Sequence, residues 1–590
     1  NLRYMKKYFL KYLPLFMIGI IANIVVDYVQ LYIPEYLGDM VEIVSSKEGV
    51  IFADIKSIVI SLVIVSFVLL AGRTLMRFTL LIASSKVDRD LRHDMFLKTE
   101  RLSQRFFHEN KAGSIMSSFT TDIEAIGEFT GWGTIMIVDA LFLSVMSIYK
   151  MIRLDAILTV IAVIPMIALI FWGNSVEKAM SDKWMERQNT FDKLFDFTQE
   201  NFTGIRVIKA FVKELQEFKA FEKVAKENAD VNIDFAMMSV RFDVCIELLI
   251  GAVMAFLMGI GGYFVYYYVM GNSIVLFNHV VRLTAGNLVT FIGYVDVLIW
   301  PMIAMGQILQ MYSRYSSSRK RVFDFLEEKE EIHNPENAIV LENCEGKITF
   351  KHFNFTYPDG SIESLKDITF EIEPGELVGV VGKIGSGKTT LVNSLLRLYN
   401  IEKNQILIDD KDIMNLDITS VRDNIAYVPQ DNFLFSSSVS ENIAFSNKKM
   451  SIDAIKLAAR FADVHDNITN FKEGYNTVTG ERGVTLSGGQ KQRISIARAY
   501  AKDAPIMIMD DSVSAVDVKT EEVILSNIRE KRKGKTTIII ASRVSTVSKA
   551  DKILVLKDGA VEAFDTPENL LNVSPTYQKM VYLQKLESEL

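Results

Sequence analysis

Cysteine is almost missing from this chain: Cys245 and Cys344 are the two in 590 residues. One lies in an apolar segment and the other in a polar loop, so neither a disulfide framework nor a thiolate metal site is indicated. An excess of positive charge is missing too. The net charge of −7 gives no footing for a nucleic-acid partner. There is no internal repeat and no low-complexity tract. The chain is too long for a single core. What it has in quantity is apolar residues, 49% of the total, gathered toward one end.

Those residues form six long runs, at about 13–37, 57–82, 131–152, 155–175, 242–270 and 284–308. Each is long enough to cross a hydrocarbon core of ~30 Å, which implies a lipid bilayer as solvent for this half. The first run continues past Val29, which argues against a cleavable signal peptide. A basic, aromatic lead precedes it (Arg3, Tyr4, Lys6, Lys7, Tyr8, Lys11), suited to a membrane surface. The gaps between runs two and three and between runs four and five are long and rich in Lys and Arg. Positive residues favour the cytoplasmic side, which places the N-terminus and both long loops inside. Lys150 and Arg153, in a very short outer loop, go against that rule. Helical spacing such as Phe191, Leu194, Phe195 and Thr198 reads both gaps as spanning helices extended into the cytosol.

After Gln307 the sequence turns polar and then acidic, Glu327 to Glu331, as a linker does. From about Ala338, short apolar β-rich runs alternate with helical stretches, the pattern of an α/β domain around a parallel sheet. Within it stands Gly382-Lys383-Ile384-Gly385-Ser386-Gly387-Lys388-Thr389, followed by Thr390. It fills the spacing G-x-x-x-x-G-K-[ST], after the strand-like Leu377–Val381 and before a helical run. Glycines let the backbone wrap an anion, with Lys388 reaching the terminal phosphates and the Thr389 hydroxyl holding Mg2+. Some 120 residues on, the apolar run Ile506–Met509 ends in Asp510, where such enzymes place a second Mg2+ ligand. The expected fold is therefore an α-helical transmembrane domain (1–320), a linker (321–337) and an α/β P-loop NTPase domain (338–590).

Between the two motifs lies Leu486-Ser487-Gly488-Gly489-Gln490, opening onto a second helical run. That is a second helix end fit for phosphate, and one nucleotide rarely needs two from one domain. With these motifs in this order the whole chain resembles the ATP-binding cassette (ABC) transporters of exporter type. The resemblance implies a dimer that holds two ATP, each between the P-loop of one cassette and the Ser487–Gln490 motif of the other. It also implies that Tyr357 stacks on adenine and that Gln430 contacts Mg2+ and senses the membrane domain. Glu481 would touch that domain's loops, and Ser514–Asp517 would cross the cassette interface. Stretches near Gly113–Asp122 and Gly204–Phe211 look like the family's coupling helices.

Two positions depart from the family. Asp511 stands where a glutamate normally polarises the attacking water, and Ser542 stands where a histidine normally contacts the γ-phosphate. Aspartate withdraws the carboxylate by roughly 1.5 Å, and a misplacement on the order of 1 Å can cost about 100-fold in rate. The pairing resembles the degenerate-site subunit of heterodimeric exporters. It implies a partner half-transporter that carries the usual Glu and His. A homodimer with two slow sites is the alternative. Acids within the spans, Asp27, Asp139 and Asp296, with Asp243 and Glu247 near an inner end, are candidates for a cationic amphipathic substrate. Multidrug export is the expectation. The rivals are a lipid flippase, a peptide exporter and an ATP-gated channel or regulatory ATPase.

Overall fold

The computed structural model describes residues 2–45, 52–271, 274–276, 279–358, 360, 362–480, 483 and 485–589. Glu481, expected to touch the membrane loops, lies outside the described residues. The chain divides into two compact units, residues 1–97 with 113–327, and 98–112 with 328–590.

The first unit is helical: α1 (Leu2–Gln30), α2 (Tyr32–Ser45), α3 (Phe52–Arg101), α4 (Thr134–Leu154), α5 (Ala156–Thr203), α6 (Glu214–Val269) and α7 (Ala285–Glu327). Among the described residues, five helical stretches are long and apolar enough to cross a membrane: Met5–Ser45, Phe52–Arg101, Ala112–Leu154, Glu214–Val269 and Ala285–Glu327. The sixth expected run falls on α5, whose described apolar part is Ala156–Ile167; the side chains of 168–178 lie outside the described residues. Helices of 48 to 56 residues exceed any bilayer crossing, so the spans continue as long extensions, as their spacing predicts.

Local sequence sets the breaks. Pro34 has no N–H for the carbonyl of Gln30 and its ring crowds that group, so the first span is interrupted at Leu31 before resuming as α2. Asp155 starts α5, its carboxylate accepting from Leu158 N at 2.8 Å. The segment before α4 contains two π-helical turns, Ser118–Asp122 and Phe129–Gly133. Close contact between α2 and α7 depends on glycine. A Cβ on Gly38 would lie 1.9 Å from Thr290 Oγ1, and one on Gly286 would lie 2.5 Å from the Gly38 carbonyl.

The second unit carries two sheets. Strands β1 (Ile348–Thr356), β2 (Glu363–Ile372), β4 (Ile406–Ile408) and β5 (Lys411–Asp412) form an antiparallel sheet in the order β2-β1-β4-β5; β3 (Leu377–Gly382) belongs to the other. That larger sheet adds β6 (Ile425–Val428), β7 (Ile506–Asp510), β8 (Thr536–Ile540), β9 (Lys552–Lys557) and β10 (Ala560–Asp565), in the order β10-β9-β3-β8-β7-β6. All its pairings are parallel except β9 with β10. Successive residues alternate between two cores: Met507, Met509 and Ile539 face one, and Ile506, Ile508, Ile538 and Ile540 the other. A sheet covered on both faces accounts for the uninterrupted apolar runs.

The linker is tied down within this unit. Lys98 Nζ reaches Glu330 at 3.1 Å, while Ser103 Oγ and Arg105 Nη1 both donate to Glu331 at 2.8 Å. The Glu331 carbonyl accepts from Asn400 Nδ2 at 2.7 Å.

Candidate functional site: a nucleotide cradle and acids within the spans

Parallel register brings the motifs to one edge. Thr537 pairs with both Leu377 and Met507, and Ile540 with Asp510 and Val380, so β3, β8 and β7 end side by side. Val428 of β6 pairs with Met509, which sets Gln430 just beyond the same edge. The P-loop, Gln430, Asp510–Asp511 and Ser542 thus leave the carboxyl ends of four neighbouring strands, where open α/β sheets place their ligands.

The loop itself needs its glycines. A Cβ on Gly382 would lie 2.4 Å from the Leu556 carbonyl, and Gly387, at φ 95°, would press on Leu365 at 2.5 Å. Gly385 turns through φ 82°, while Ile384 between them is fully exposed. The Ser386 hydroxyl is buried beneath the loop without a partner. Helix α8 (Lys388–Leu395) starts directly at Lys388, whose ammonium donates to the carbonyls of Gly382 (2.8 Å) and Lys383 (3.0 Å). Burial pushes the Lys388 ammonium down from the usual lysine range, against the pull of Asp511 and Asp510.

Asp510 is 1% exposed. Burial, with the charge of Asp511, raises its carboxyl above the usual range, while a hydrogen bond from Thr389 and the charge of Lys388 act the other way. Its Oδ2 has no partner among the described residues. A buried carboxylate with an unmet oxygen, a hydroxyl bonded to it and an ammonium alongside is a donor set that fits a divalent cation on a polyphosphate. Tyr357 packs edge-on against Phe355 and Tyr399, and its hydroxyl meets Thr390 Oγ1 at 3.0 Å.

The two departures touch each other. The Ser542 hydroxyl donates to Asp511 Oδ1 at 3.2 Å. Asp511 sits at φ 46°, with its N–H on the Ile540 carbonyl at 3.0 Å. Aspartate tolerates that left-handed region better than longer side chains do.

Helix α9 (Gly488–Ala501) offers the second phosphate end. Ser487 and Gln490 close it as a capping box: Ser487 Oγ accepts from Gln490 N, and Gln490 Oε1 from Ser487 N. Among the described residues a Cβ on Gly488 would meet nothing within 4 Å, whereas one on Gly489 would lie 3.1 Å from the Ala515 carbonyl. Gln492 was not singled out by the motifs. It is 1% exposed, donates to the Asp511 carbonyl at 3.3 Å and accepts from Ala515 N at 3.0 Å. It therefore pins the turn after Asp511 to α9. Its place two residues past Gln490 was the available signal.

Among the span acids, Asp27 and Asp139 come together. Asp139 accepts from Asn23 Nδ2 at 2.7 Å and Trp300 Nε1 at 3.3 Å. Asp27 is 3% exposed, has an unpartnered Oδ2, and feels the charges of Asp139 and Arg73. Asp296 stands apart on an exposed face of α7, and Asp243 and Glu247 are exposed on α6.

Comparison with known proteins agrees with this arrangement. Residues 365–514 match the ABC transporter family, and residues 16–302 match the ABC transporter transmembrane region. The chain is 33% identical, over 99% of its length and 97% of the relative's, to a probable multidrug resistance ABC transporter ATP-binding/permease protein, YheI of Bacillus subtilis. It is 32% identical to the multidrug resistance-like ATP-binding protein MdlA of Escherichia coli, over 96% of this chain and 94% of that one. The solved structure of a bacterial Atm1-family ABC exporter with ATP bound superposes with a TM-score of 0.78 and 25% identity, covering 96% of this chain and 98% of that one. The chain belongs to the ABC transporters of exporter type, an integral membrane protein in which a membrane domain is fused to an ATPase domain that drives transport.

Proposed function

We propose that this chain is one half of a heterodimeric exporter of amphipathic, chiefly cationic compounds in a bacterial plasma membrane. Its own nucleotide site would hold ATP and turn it over slowly, and its Ser487–Gln490 motif would serve the partner's site. The observation that carries this reading is the Asp511–Ser542 pair, a short acid bonded to a short hydroxyl at 3.2 Å. The Asp511 carboxylate is one methylene short of where a glutamate would orient the water, and the Ser542 hydroxyl spends its donor on Asp511. The P-loop amides and Lys388 would bind the phosphates, and Tyr357 would stack on adenine once turned from Tyr399. Thr389, Asp510 and Gln430 would hold Mg2+, which when bound neutralises charge on the terminal phosphates. Gly488, open in this chain, leaves room for a nucleotide carried by another cassette. In the spans, Asp27 and Asp139 would favour a cationic substrate. Multidrug-type names among the relatives support export of varied compounds.

Co-purification from the native host tests the assembly. A second ABC chain in equal amount, carrying glutamate and histidine at the positions of Asp511 and Ser542, is the expected result. A chain that purifies as a homodimer and sustains ATP turnover by itself would overturn the proposal.

A further inference from the structure

Where the first span is interrupted, the chain builds an ammonium-binding cage and fills it with its own lysine. Lys150 Nζ, near the end of α4, lies 2.5 Å from Glu35 Oε1. The same ammonium stands 4.5 Å from the ring centre of Tyr32, 5.7 Å from Tyr28 and 5.9 Å from Tyr294. The walls are fixed. Tyr294 is 1% exposed and donates to Glu35 Oε1 at 2.5 Å. Tyr28 and Tyr32 are edge-on, with hydroxyls 3.1 Å apart, and Tyr36 stacks behind Tyr32. Three aromatic faces and one carboxylate around a single nitrogen are the chemistry that recognises an organic ammonium.

The charges around the cage favour a cation beyond the one it holds. Glu35, Asp39 and Glu42 lie on successive turns of α2, and the charges of Glu35 and Glu42 both act on Asp39. Among the described residues, Lys150 is the cation that ion-pairs with this acidic stretch, through Glu35. The side chain of Lys150 is 17% exposed and that of Glu35 33%, so the cage opens on one side. The helix break supplies its shape. Pro34 ends α1 at Gln30, which lets Tyr28 from one helix and Tyr32 and Glu35 from the next converge.

We infer that this cage is a binding subsite for the head group of an organic monocation, with Lys150 as its tethered competitor. On the orientation drawn from loop charges the cage lies toward the outer side, so a cationic cargo would displace Lys150 there and be displaced in turn. The inference rests on the export reading for its cargo, but the binding itself does not require transport.

The test uses the purified transporter in lipid nanodiscs and tetramethylammonium chloride as the probe, with sodium chloride at equal ionic strength as the control. Thermal unfolding is followed against probe concentration. Removing a tethered group at millimolar effective concentration should tighten apparent probe binding roughly tenfold or more in Lys150→Met. Lys150→Gln should gain likewise, which covers a Met variant that fails to fold. Lys150→Met/Glu35→Gln and Lys150→Met/Tyr32→Leu should lose the gain. Lysine variants that titrate like the parent, or a gain that survives both second substitutions, would overturn the cage. Dye flux separates the two readings. Probe binding without cation efflux would defeat the export reading alone, and efflux without a gain in Lys150→Met would defeat the cage alone.

Discussion

The starts of α8 and α9 can be compared directly, because both are helix ends built for phosphate. At the first, Lys388, Asp510 and Asp511 crowd around a loop whose Gly382 and Gly387 are required by the chain's own atoms. At the second, Ser487 and Gln490 satisfy each other while Gly488 faces open space. One is a cradle with charged side chains alongside; the other is a capped helix end with open space before it. On the proposed reading, the difference means that a single chain holds unequal halves of two sites. Gln492 joins them, since it grips the Asp511 turn from the helix that Ser487 caps.

The largest expected effect falls on the cradle. Lys388→Ala should weaken ATP binding at this chain's site by about 100-fold, through loss of a charge-assisted contact in a partly buried site. An ATP titration checks it, and an unchanged affinity would break the comparison at its stronger end.

Glycine substitutions sharpen the contrast. Gly382→Ala must displace the Leu556 carbonyl, 2.4 Å from the new methyl, and should destabilise the ATPase domain by about 1–3 kcal/mol. Gly488→Ala meets nothing within the chain. It should leave the unfolding temperature unchanged while lowering turnover of the assembled transporter. Equal stability losses for the two would contradict the reading of Gly488 as an open face.

Gln492→Ala tests the link. Leaving the Ala515 N–H and the Asp511 carbonyl short of a buried partner should cost about 1–3 kcal/mol. It should also lower ATP turnover roughly tenfold by loosening α9, whose Ser487–Gln490 end is proposed to serve the partner's site. Normal turnover would mean that the two ends act independently.

The smallest effect is expected in the spans. Asp296→Asn should reduce efflux of cationic dyes by a few-fold and leave neutral dyes untouched, since an exposed acid in high dielectric contributes about 1 kcal/mol or less. Equal loss for both classes of dye would assign Asp296 a structural role.

Much of the nucleotide domain was legible because local and non-local signals coincide there. Leu377–Val381 and Ile506–Met509 are apolar runs of strand length that end in motif residues, and parallel pairing of buried strands brings such ends together. The contact between Asp511 and Ser542 was not read from the sequence, which marked the two positions only as separate departures. Gln492 was hidden because its role depends on which way a helical side chain turns. The interruption at Leu31 was not read either: 13–37 looks like one run by hydropathy, and Pro34 shows its effect only through the carbonyl four residues earlier. The cage around Lys150 joins α1, α2, α4 and α7, a convergence set by helix packing rather than spacing. Lys150 was visible in the sequence only as a charge on the wrong side.

The central claim is that this chain's own site binds while its second helix end serves turnover at the other. ATPase activity of the co-purified transporter carrying Asp511→Asn, set beside that carrying Ser487→Ala, tests it most directly. The account predicts that Asp511→Asn keeps most of the activity, while Ser487→Ala loses about 100-fold by removing a phosphate donor from the partner's site. Activity abolished by Asp511→Asn and preserved in Ser487→Ala would contradict it.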